Sequence, residues 1–308
     1  MVSLRILIRK ILGRKGTFML RNVLSEIYTS LQWRLDHVKK EDGVTAMVCT
    51  YNEEDWVDLS LLSIKDLVRE IIVVDSSTDS TPVIINELRY TYGLPIKLFR
   101  MRAGDLVMAR NLVLKEATSK WILHWDADFI ARPELIEGVK KLINELDERR
   151  HYLVYWQMIR VCGDLQHVCK DPYHIEHWLF TWSPKLRYQW VDKYDSLIAP
   201  IYMYKAVYIP KPLGIHLAFV RRPDRLFIKY IWRRFRREAD YYARKGLLDE
   251  FVRAKARELY GEDNLQDAGK KLVEEITSTL PRYDEVRFGK LPGVVIMRAK
   301  ELGVWRDA

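Results

Sequence analysis

The stretch WILHWDAD, residues 121–128, decides the fold class that we predict for this chain. An apolar run of strand length ends there in two carboxylates, Asp126 and Asp128, one residue apart. Because side chains alternate along a strand, both carboxylates are expected on the same side at its carboxyl end. Ligands of open α/β sheets bind at that end. Carboxylate oxygens suit a hard divalent cation such as Mg²⁺, which usually binds through one or two carboxylates and substrate phosphates.

Short apolar runs alternate with helical patterns upstream of this stretch. The runs lie at residues 44–49, 71–74 and 96–99. Helices are predicted over residues 56–67, after a cap at Ser80 or Thr81, and over residues 105–117. Strands that alternate with helices form a mostly parallel sheet covered on both faces. We therefore predict an α/β fold.

The pattern changes downstream of residue 133. After a helix to about residue 146, we predict an antiparallel strand over 151–161, an aromatic-rich irregular segment over 178–197, a strand over 201–209 and a basic helix over 223–245. The sheet thus gains a small antiparallel extension. We predict three segments: a basic amphipathic helical segment (1–40), a main α/β domain (41–220) and a basic helical extension (221–308).

The composition fits a globular chain with a polyanionic neighbour. The 308 residues are 48% hydrophobic, which suffices for a full α/β domain with additions. The net charge of +9 favours nucleic acid, an anionic membrane face or phosphorylated ligands as partners. The three cysteines, Cys49, Cys162 and Cys169, are too few for a disulfide framework, which favours a reducing compartment.

Two basic segments suggest contact with a membrane surface. The chain has no run of about 18 consecutive apolar residues, so no transmembrane helix is predicted. Residues 2–12 mix apolar residues with Arg5, Arg9 and Lys10, which fits either a helix at a membrane surface or one packed on the main domain. Residues 224–245 interleave arginines with aromatic residues, which is typical of an interfacial helix or of a solvated basic face.

Polar clusters follow three of the predicted strands, at residues 50–54, 75–77 and 126–128. Because the carboxyl ends of parallel strands meet at one edge of a sheet, these clusters should converge on one crevice. The chain contains neither a GxGxxG nor a GxxxxGK[ST] motif. The standard dinucleotide-binding and P-loop classes are therefore excluded.

With these residues the chain resembles the family 2 glycosyltransferases of the GT-A fold. The matching segments are VCTYNEE (48–54), VVDSSTDST (73–81), ARN (109–111) and WDAD (125–128). The resemblance covers residues 44–138 well and extends more loosely to about residue 229. It implies a Rossmann-like GT-A fold, a nucleotide-sugar donor and transfer with inversion.

The resemblance also implies roles for the polar residues at the strand ends. Tyr51 offers a ring on which a nucleobase can stack. Asp75 and Ser76 can hydrogen-bond the edge of the base, and Glu53 can accept from ribose hydroxyls. Arg110 would pair with the diphosphate, because its fork of donors suits phosphate oxygens. The predicted donor site comprises Thr50, Tyr51, Asn52, Glu53, Asp75, Ser76, Arg110 and Asp126.

The implied cofactor is Mg²⁺ or Mn²⁺. Asp128, with Asp126, would hold the metal against the diphosphate. His216 resembles a downstream histidine of these enzymes that approaches the metal or the diphosphate, and a neutral imidazole can serve as a ligand. A core histidine is the alternative interpretation of His216.

Inverting transfer requires a carboxylate that takes the proton from the attacking hydroxyl. Residues 179–195 resemble the segment of the family that ends in a short acidic motif, and this alignment places Asp195 at the acidic position. Asp192 is the second choice, and Asp171 and Glu176 are further candidates. Tyr194 stands where relatives often carry a histidine.

Aromatic residues are concentrated in the same downstream segment. Trp156, Trp178, Trp182 and Trp190 could stack on the sugar rings of an acceptor. A buried aromatic core is the alternative, and we expect it for at least two of the four.

The expected activity is transfer of a sugar from a UDP- or GDP-sugar to a glycan or to a lipid-linked acceptor of the polyprenyl-phosphate type. We expect a cytoplasmic enzyme, peripheral on the inner face of the cell membrane, without a nucleic-acid partner. A nucleotidyltransferase of similar fold would want a glycine-rich basic loop after the first strand, whereas residues 51–54 are acidic. A nucleic-acid-binding module would leave the acidic clusters unexplained.

Overall fold

The computed structural model describes residues 2–31, 40–102, 105–192 and 194–305. The chain divides into two compact units. The first unit comprises Met1–Gln157 and Ile175–Gly214, and the second comprises Met158–His174 and Ile215–Ala308. The predicted segment boundaries near residues 40 and 220 stay predictions.

Helix α1 (Val2–Ser30) begins the first unit. Gly13 interrupts its helical geometry with φ 63°, a left-handed conformation that glycine adopts without steric cost, so two helical stretches follow one another. The second stretch packs on the unit. The Phe18 ring lies 4.6 Å from the Tyr155 ring, and Asn22 exchanges hydrogen bonds with the backbone of Ala206.

Alternating strands and helices follow, as the sequence predicts. They are β1 (Glu41–Thr50), α2 (Val57–Ser63), β2 (Glu70–Asp75), α3 (Thr81–Thr91), β3 (Ile96–Arg100), α4 (Leu106–Glu116) and β4 (Ser119–His124). Strand β2 is buried along its whole length, which suits a strand covered on both faces. Pro82 lies in the first turn of α3, and the Asp105 side chain caps α4 by accepting from the backbone N–H of Met108.

The remaining strands extend the sheet beyond β4. They are β5 (Phe129–Ala131), β6 (His151–Cys162), β7 (Val168–Thr181), β8 (Arg187–Val191), β9 (Tyr194–Ile198) and β10 (Tyr204–Phe219), with α5 (Pro133–Glu145) after β5. The sheet order is β3-β2-β1-β4-β7-β6-β10-β5, in which β1 to β4 are parallel and β7 is antiparallel to β4. The prediction of an α/β fold with a mostly parallel sheet and an antiparallel extension is confirmed.

The prediction of an irregular segment over residues 178–197 is wrong. These residues complete β7 and form the antiparallel hairpin of β8 and β9. Tyr188 and Trp190 are two residues apart and so lie on the same face of β8, yet Tyr188 is buried and Trp190 is exposed. This distribution hides the alternation of polar and apolar residues from which a strand is ordinarily predicted.

The second unit is mainly helical. Its helices are α6 (Pro223–Arg234), α7 (Arg236–Arg244), α8 (Leu248–Tyr260), α9 (Leu265–Thr277), α10 (Glu285–Phe288) and α11 (Gly293–Glu301). Helices α6 and α9 pack closely at Gly269, where an added Cβ would lie 2.0 Å from the backbone oxygen of Pro223. The predicted single helix over 223–245 is divided at Phe235 into α6 and α7.

Part of the apolar surface of this basic segment packs inside the second unit, and its contact with a membrane stays a prediction. Leu226, Phe227 and Ile231 are fully buried and form a core with apolar residues of α8 and α9. Their physical role is to hold the second unit together. The exposed side of α6 and α7 carries Arg233, Arg234, Arg236 and Arg237.

Two of the three cysteines pair, although three are too few for a disulfide framework. Cys162 and Cys169 form a disulfide between the end of β6 and the start of β7, where their Cα atoms lie 5.2 Å apart. Cys49 is free.

In the part of the chain that the structure describes, every helix is too short or too polar to cross a membrane.

Candidate functional site

The three polar clusters lie along one edge of the parallel sheet, as predicted. Strand β1 is flanked by β2 and β4, with Thr50 opposite Asp75 and Met47 opposite His124. Past the strand ends, the backbone N–H of Ser76 donates to Thr50 and that of Trp125 donates to Met47, both at 3.0 Å. The carboxyl ends of β2, β1 and β4 therefore form one continuous edge.

The Asp-X-Asp pair lies on a turn rather than on the strand. Strand β4 ends at His124, and a turn closed by the Phe129 N–H donating to the Asp126 oxygen leads into β5. Ser60 of α2 anchors this turn, because its hydroxyl accepts from the Trp125 indole and donates to the Asp126 backbone oxygen. The alternation argument consequently does not apply. About one third of the Asp126 side chain is exposed, whereas Asp128 is buried.

A buried arginine joins two of the predicted site residues. Nε of Arg110, on α4, donates to the Asp195 carboxylate at 2.5 Å, and Nη2 donates to Asp126 at 3.2 Å. Burial lowers the pKa of Arg110, but the negative charges of Asp126 and Asp195 outweigh burial and raise it overall. The third guanidinium nitrogen, Nη1, is buried and has no acceptor among the described residues. Arg110 thus links the turn after β4 to the β8–β9 hairpin, and its Nη1 remains available to donate to a ligand.

His124 and Tyr188 also contact this cluster, and no sequence motif marks them. His124 Nδ1 lies 3.2 Å from the Tyr188 hydroxyl, and His124 Nε2 lies 3.6 Å from the Asp126 carboxylate. Burial, together with the charge of Arg110, lowers the pKa of His124, so its ring is neutral at pH 7. Asn111 fixes Tyr188 by exchanging two hydrogen bonds with its backbone.

The Asp75 carboxylate is fully buried at the end of β2. It accepts from the hydroxyls of Thr50 (2.6 Å) and Ser77 (2.5 Å) and is paired with Arg100. Sequence reasoning missed Arg100, although it ends β3 directly opposite Asp75 in the strand register. A basic residue at the end of the neighbouring parallel strand was the available signal.

The loop after β1 is fixed by the loop after β2. Asn52 adopts a left-handed conformation with φ 56°, which asparagine tolerates better than most residues. Its backbone N–H donates to the Ser77 hydroxyl, and its side-chain oxygen accepts from the Thr78 N–H, both at 2.8 Å. The Glu53 N–H donates to the Thr81 hydroxyl. In this rigid loop the Tyr51 ring remains 40% exposed, next to the partly exposed Ser76.

The β8–β9 hairpin places the two candidate bases differently. Asp195 lies on β9 opposite Trp190 and contacts Arg110. Asp192 lies exposed on the hairpin turn, with φ 54°. The geometry therefore brings Asp195, and not Asp192, into contact with Arg110, which also contacts Asp126.

The four tryptophans divide between core and surface. Trp156 and Trp178 are buried, as expected for at least two of them, and the Trp178 indole donates to the Trp156 backbone oxygen at 3.0 Å. Trp182 is partly buried, and its indole donates to the Leu114 oxygen. Trp190 is 46% exposed beside Asp195.

His216 belongs to the second unit, where its ring stacks on that of His174 with 5.8 Å between the centroids. Its role as a metal ligand stays a prediction. Among the described residues no group of three or more histidine, cysteine or acidic side chains is arranged to hold a metal.

The side chains at the Asp-X-Asp turn nevertheless suit a divalent cation. Asp126 and Asp195 both contact Arg110, and Asp128 adds a further carboxylate two residues along the turn. The donor set is oxygen-only, which suits Mg²⁺ or Mn²⁺ completed by substrate phosphates and water.

Comparisons with known proteins agree with this geometry. The family described as "Glycosyl transferase family 2" matches residues 45–204. The SPbeta prophage-derived glycosyltransferase SunS of Bacillus subtilis is 33% identical over 111 residues, which are 34% of this chain and 24% of SunS. The poly(ribitol-phosphate) beta-N-acetylglucosaminyltransferase TarS of Staphylococcus aureus is 29% identical over 107 residues, 33% of this chain and 19% of TarS. The chain thus matches about a quarter or less of the length of these relatives.

Among solved structures, the mannosyltransferase PcManGT of Pyrobaculum calidifontis, in complex with GDP-Man and Mn²⁺, has a TM-score of 0.41 and 17% identity, over 97% of this chain and 92% of PcManGT. A structure of TarS 1-349 in complex with UDP-GlcNAc has a TM-score of 0.39 and 15% identity, over 84% of this chain and 79% of that one.

Proposed function

Because this chain belongs to glycosyl transferase family 2, we propose that it transfers a sugar from a UDP- or GDP-sugar to a glycan or a lipid-linked acceptor, with inversion at the anomeric carbon. The observation that carries the proposal is the Arg110 bridge between Asp126 and Asp195 at the carboxyl edge of the sheet. Through Arg110, a carboxylate of the Asp-X-Asp turn and a candidate base are bound to the same positively charged side chain.

The nucleoside would bind along the ends of β1 and β2. The exposed face of Tyr51 can stack on the base, which suits any nucleobase because every base has a π face. Glu53 offers carboxylate acceptors nearby, and Ser76 offers a hydroxyl donor. Asp75 would act on the base through the hydroxyls of Thr50 and Ser77 that bind it. This arrangement supports a nucleoside diphosphate without distinguishing uridine from guanosine.

Arg110 would support binding of the diphosphate in two ways. Two of its nitrogens hold Asp126 and Asp195 in place, and Nη1 is the donor left for a phosphate oxygen. A buried guanidinium with an unmet donor is costly unless a ligand supplies the acceptor. An anionic donor substrate would supply it.

Asp126 and Asp128 would hold Mg²⁺ or Mn²⁺. When bound, the metal neutralises charge on the diphosphate leaving group.

Asp195 is our choice for the general base. The acceptor hydroxyl oxygen forms the new bond to the anomeric carbon, the bond from that carbon to the diphosphate oxygen breaks, and the hydroxyl proton passes to Asp195. Trp190, exposed on the paired strand, would position the acceptor by stacking on a sugar ring.

The acceptor side and the location complete the proposal. A lipid-linked acceptor would bring the enzyme to a membrane, and the net charge of +9 matches the anionic cytoplasmic leaflet. We therefore propose a peripheral contact with the inner face of the cell membrane.

The test is a binding screen by thermal shift with UDP- and GDP-sugars, with and without Mn²⁺. We expect stabilisation by one nucleotide class that depends on the metal, and loss of that response in Asp128→Ala or, if this variant folds poorly, in Asp128→Asn. Glu134→Gln, an exposed carboxylate in the first turn of α5, is the matched control and should respond like the wild type. The proposal is wrong if no sugar nucleotide stabilises the protein with any divalent metal.

A further inference from the structure

Helix α1 turns an apolar ridge toward solvent. Met19, Val23, Ile27 and Leu31 follow one another at intervals of four residues, so they lie along one side of the helix and the turn that ends it. Met19 is 71% exposed, Val23 56% and Ile27 50%. Ile11 and Leu12, next to the break at Gly13, are exposed as well. Single exposed apolar residues are ordinary, but a contiguous ridge marks an interaction surface.

The opposite side of the helix carries the polar residues. Arg21 and Ser25 are buried, and the Arg21 guanidinium donates to the Pro200 oxygen at 3.4 Å. Asn22 is tied to Ala206. The helix is therefore held on the first unit by these polar contacts together with Phe18, which packs on Tyr155, and the buried Tyr28, whereas the ridge is left outside. Folding alone does not account for that orientation, because burying the ridge would have been favourable.

The charges around the ridge indicate what covers it. Residues 1–20 contain five basic residues, Arg5, Arg9, Lys10, Arg14 and Lys15, and no acidic ones. Arg14 and Lys15 are exposed next to Gly13. The first acidic residue, Glu26, is neutralised by Arg150 at 2.6 Å and Lys205 at 2.8 Å. A second copy docked symmetrically through the same helix would bring these positive charges together, whereas an anionic bilayer attracts them.

We propose that the ridge of α1 (Met19, Val23, Ile27 and Leu31) docks on the anionic surface of a phospholipid bilayer. The apolar side chains enter the boundary between headgroups and acyl chains, while Arg14 and Lys15 meet the phosphates. The inference deepens the membrane contact of the proposed function and assigns it to α1, because Leu226, Phe227 and Ile231 of α6 are buried in the second unit. It does not depend on the sugar or the donor.

The experiment is flotation of the full chain with vesicles of phosphatidylcholine alone and of phosphatidylcholine with about one third phosphatidylglycerol. We expect binding to the anionic vesicles and a loss of about tenfold in the partition coefficient for Met19→Gln/Val23→Gln/Ile27→Gln. The conservative variant Met19→Leu/Val23→Leu/Ile27→Leu should keep the binding. Val286→Gln/Val294→Gln/Met297→Gln, which removes three exposed apolar residues of the second unit, is the matched control and should also bind.

Three outcomes would overturn the proposal: no binding of the wild type to anionic vesicles, unchanged binding of the α1 glutamine variant, or equal loss in the control. A dimer in solution that the α1 glutamine variant dissociates, without vesicle binding, would assign the ridge to self-association instead. Thermal shift with sugar nucleotides on the same variants separates this result from the proposed function, since donor binding should be unchanged in all of them.

Discussion

The two edges of the parallel sheet each carry a buried carboxylate group, but they satisfy it in different ways. At the amino-terminal edge, Glu70 accepts from Thr45 at 2.5 Å, from the backbone and hydroxyl of Thr118 at 2.6 and 2.8 Å, and from Lys97 at 2.7 Å. One negative charge meets four donors within the protein. This carboxylate is complete without a ligand, and its role is structural.

At the carboxyl edge, a buried guanidinium holds two carboxylates. Asp126 and Asp195 both contact Arg110, and Asp126 remains one-third exposed. Nη1 of Arg110 is buried and lacks an acceptor among the described residues. The difference teaches that burial of charge alone does not identify a site. An imbalance between buried donors and acceptors identifies the edge where a ligand is needed.

The prediction with the largest expected effect concerns the rate of sugar transfer, which should depend on the carboxyl edge. We expect Asp195→Asn to lower the transfer rate by about 10³-fold, because the amide cannot take the proton of the acceptor hydroxyl. Donor binding should persist, since the amide oxygen can still accept from Arg110. Initial rates of sugar transfer and thermal shift with the donor measure the two properties separately.

Asp192→Asn is the matched control on the same hairpin and should change the rate less than about twofold. Full activity of Asp195→Asn together with an inactive Asp192→Asn would reverse the assignment of the base.

The stabilisation that Glu70 provides at the amino-terminal edge should depend on pH. Burial raises the pKa of Glu70, but the hydrogen bonds from Lys97, Thr45 and Thr118 outweigh it and lower the pKa from 4.5 to about 2. Because the folded pKa is the lower one, the stabilisation is complete above pH 4.5 and is lost as the pH falls toward 2. It amounts to about 3 kcal/mol.

Urea unfolding of the wild type and of Glu70→Gln, from about pH 6 to about pH 2, checks this expectation. The stability difference between the two proteins should shrink by about 3 kcal/mol over that range. Glu134→Gln, which alters an exposed carboxylate, should run parallel to the wild type. A constant difference for Glu70→Gln would mean that Glu70 is not held ionised by its four donors.

The two arginine–aspartate pairs of the carboxyl edge offer a finer test. Arg110 is buried and contacts two carboxylates, whereas Arg100 is half-exposed and pairs with Asp75, which also has two hydroxyl partners. Lysine keeps the charge but cannot reproduce two hydrogen bonds from a rigid fork. We expect Arg110→Lys to destabilise the fold by about 2 kcal/mol and Arg100→Lys by less than about 1 kcal/mol, measured by urea unfolding. Equal losses would show that burial of the guanidinium makes no difference here.

The sequence predicts most of the parallel half of the fold because its signals are local. Strands β1 to β4 appear as apolar runs bounded by polar clusters, and their observed bounds differ from the predicted ones by a few residues. The adjacency of the clusters follows from the parallel arrangement. The Asp-X-Asp pair is correctly placed at the sheet edge, although the strand ends before it.

The contacts that define the site depend on tertiary structure and could not be predicted. Arg110 and Asp195 are 85 residues apart in sequence and meet only because the β8–β9 hairpin packs on α4. His124 and Tyr188 carry no motif. The orientation of α1 and α6 was likewise hidden, because both segments are basic and amphipathic in sequence and only packing decides which apolar face is covered.

The smallest effect concerns the rim of the carboxyl edge. Trp190 is exposed beside Asp195, so Trp190→Ala should leave stability and donor binding unchanged and raise the KM for the acceptor by about tenfold, through loss of ring stacking. Tyr90→Ala, an exposed aromatic residue of α3, is the matched control and should have no effect on KM. A fall in kcat without a change in KM would instead place Trp190 in the alignment of Asp195, and an unchanged KM and kcat would remove the hairpin rim from acceptor recognition. The same assay thereby decides whether the acceptor site is limited to the charged cluster of Arg110, Asp126 and Asp195 or also includes the exposed Trp190 on β8.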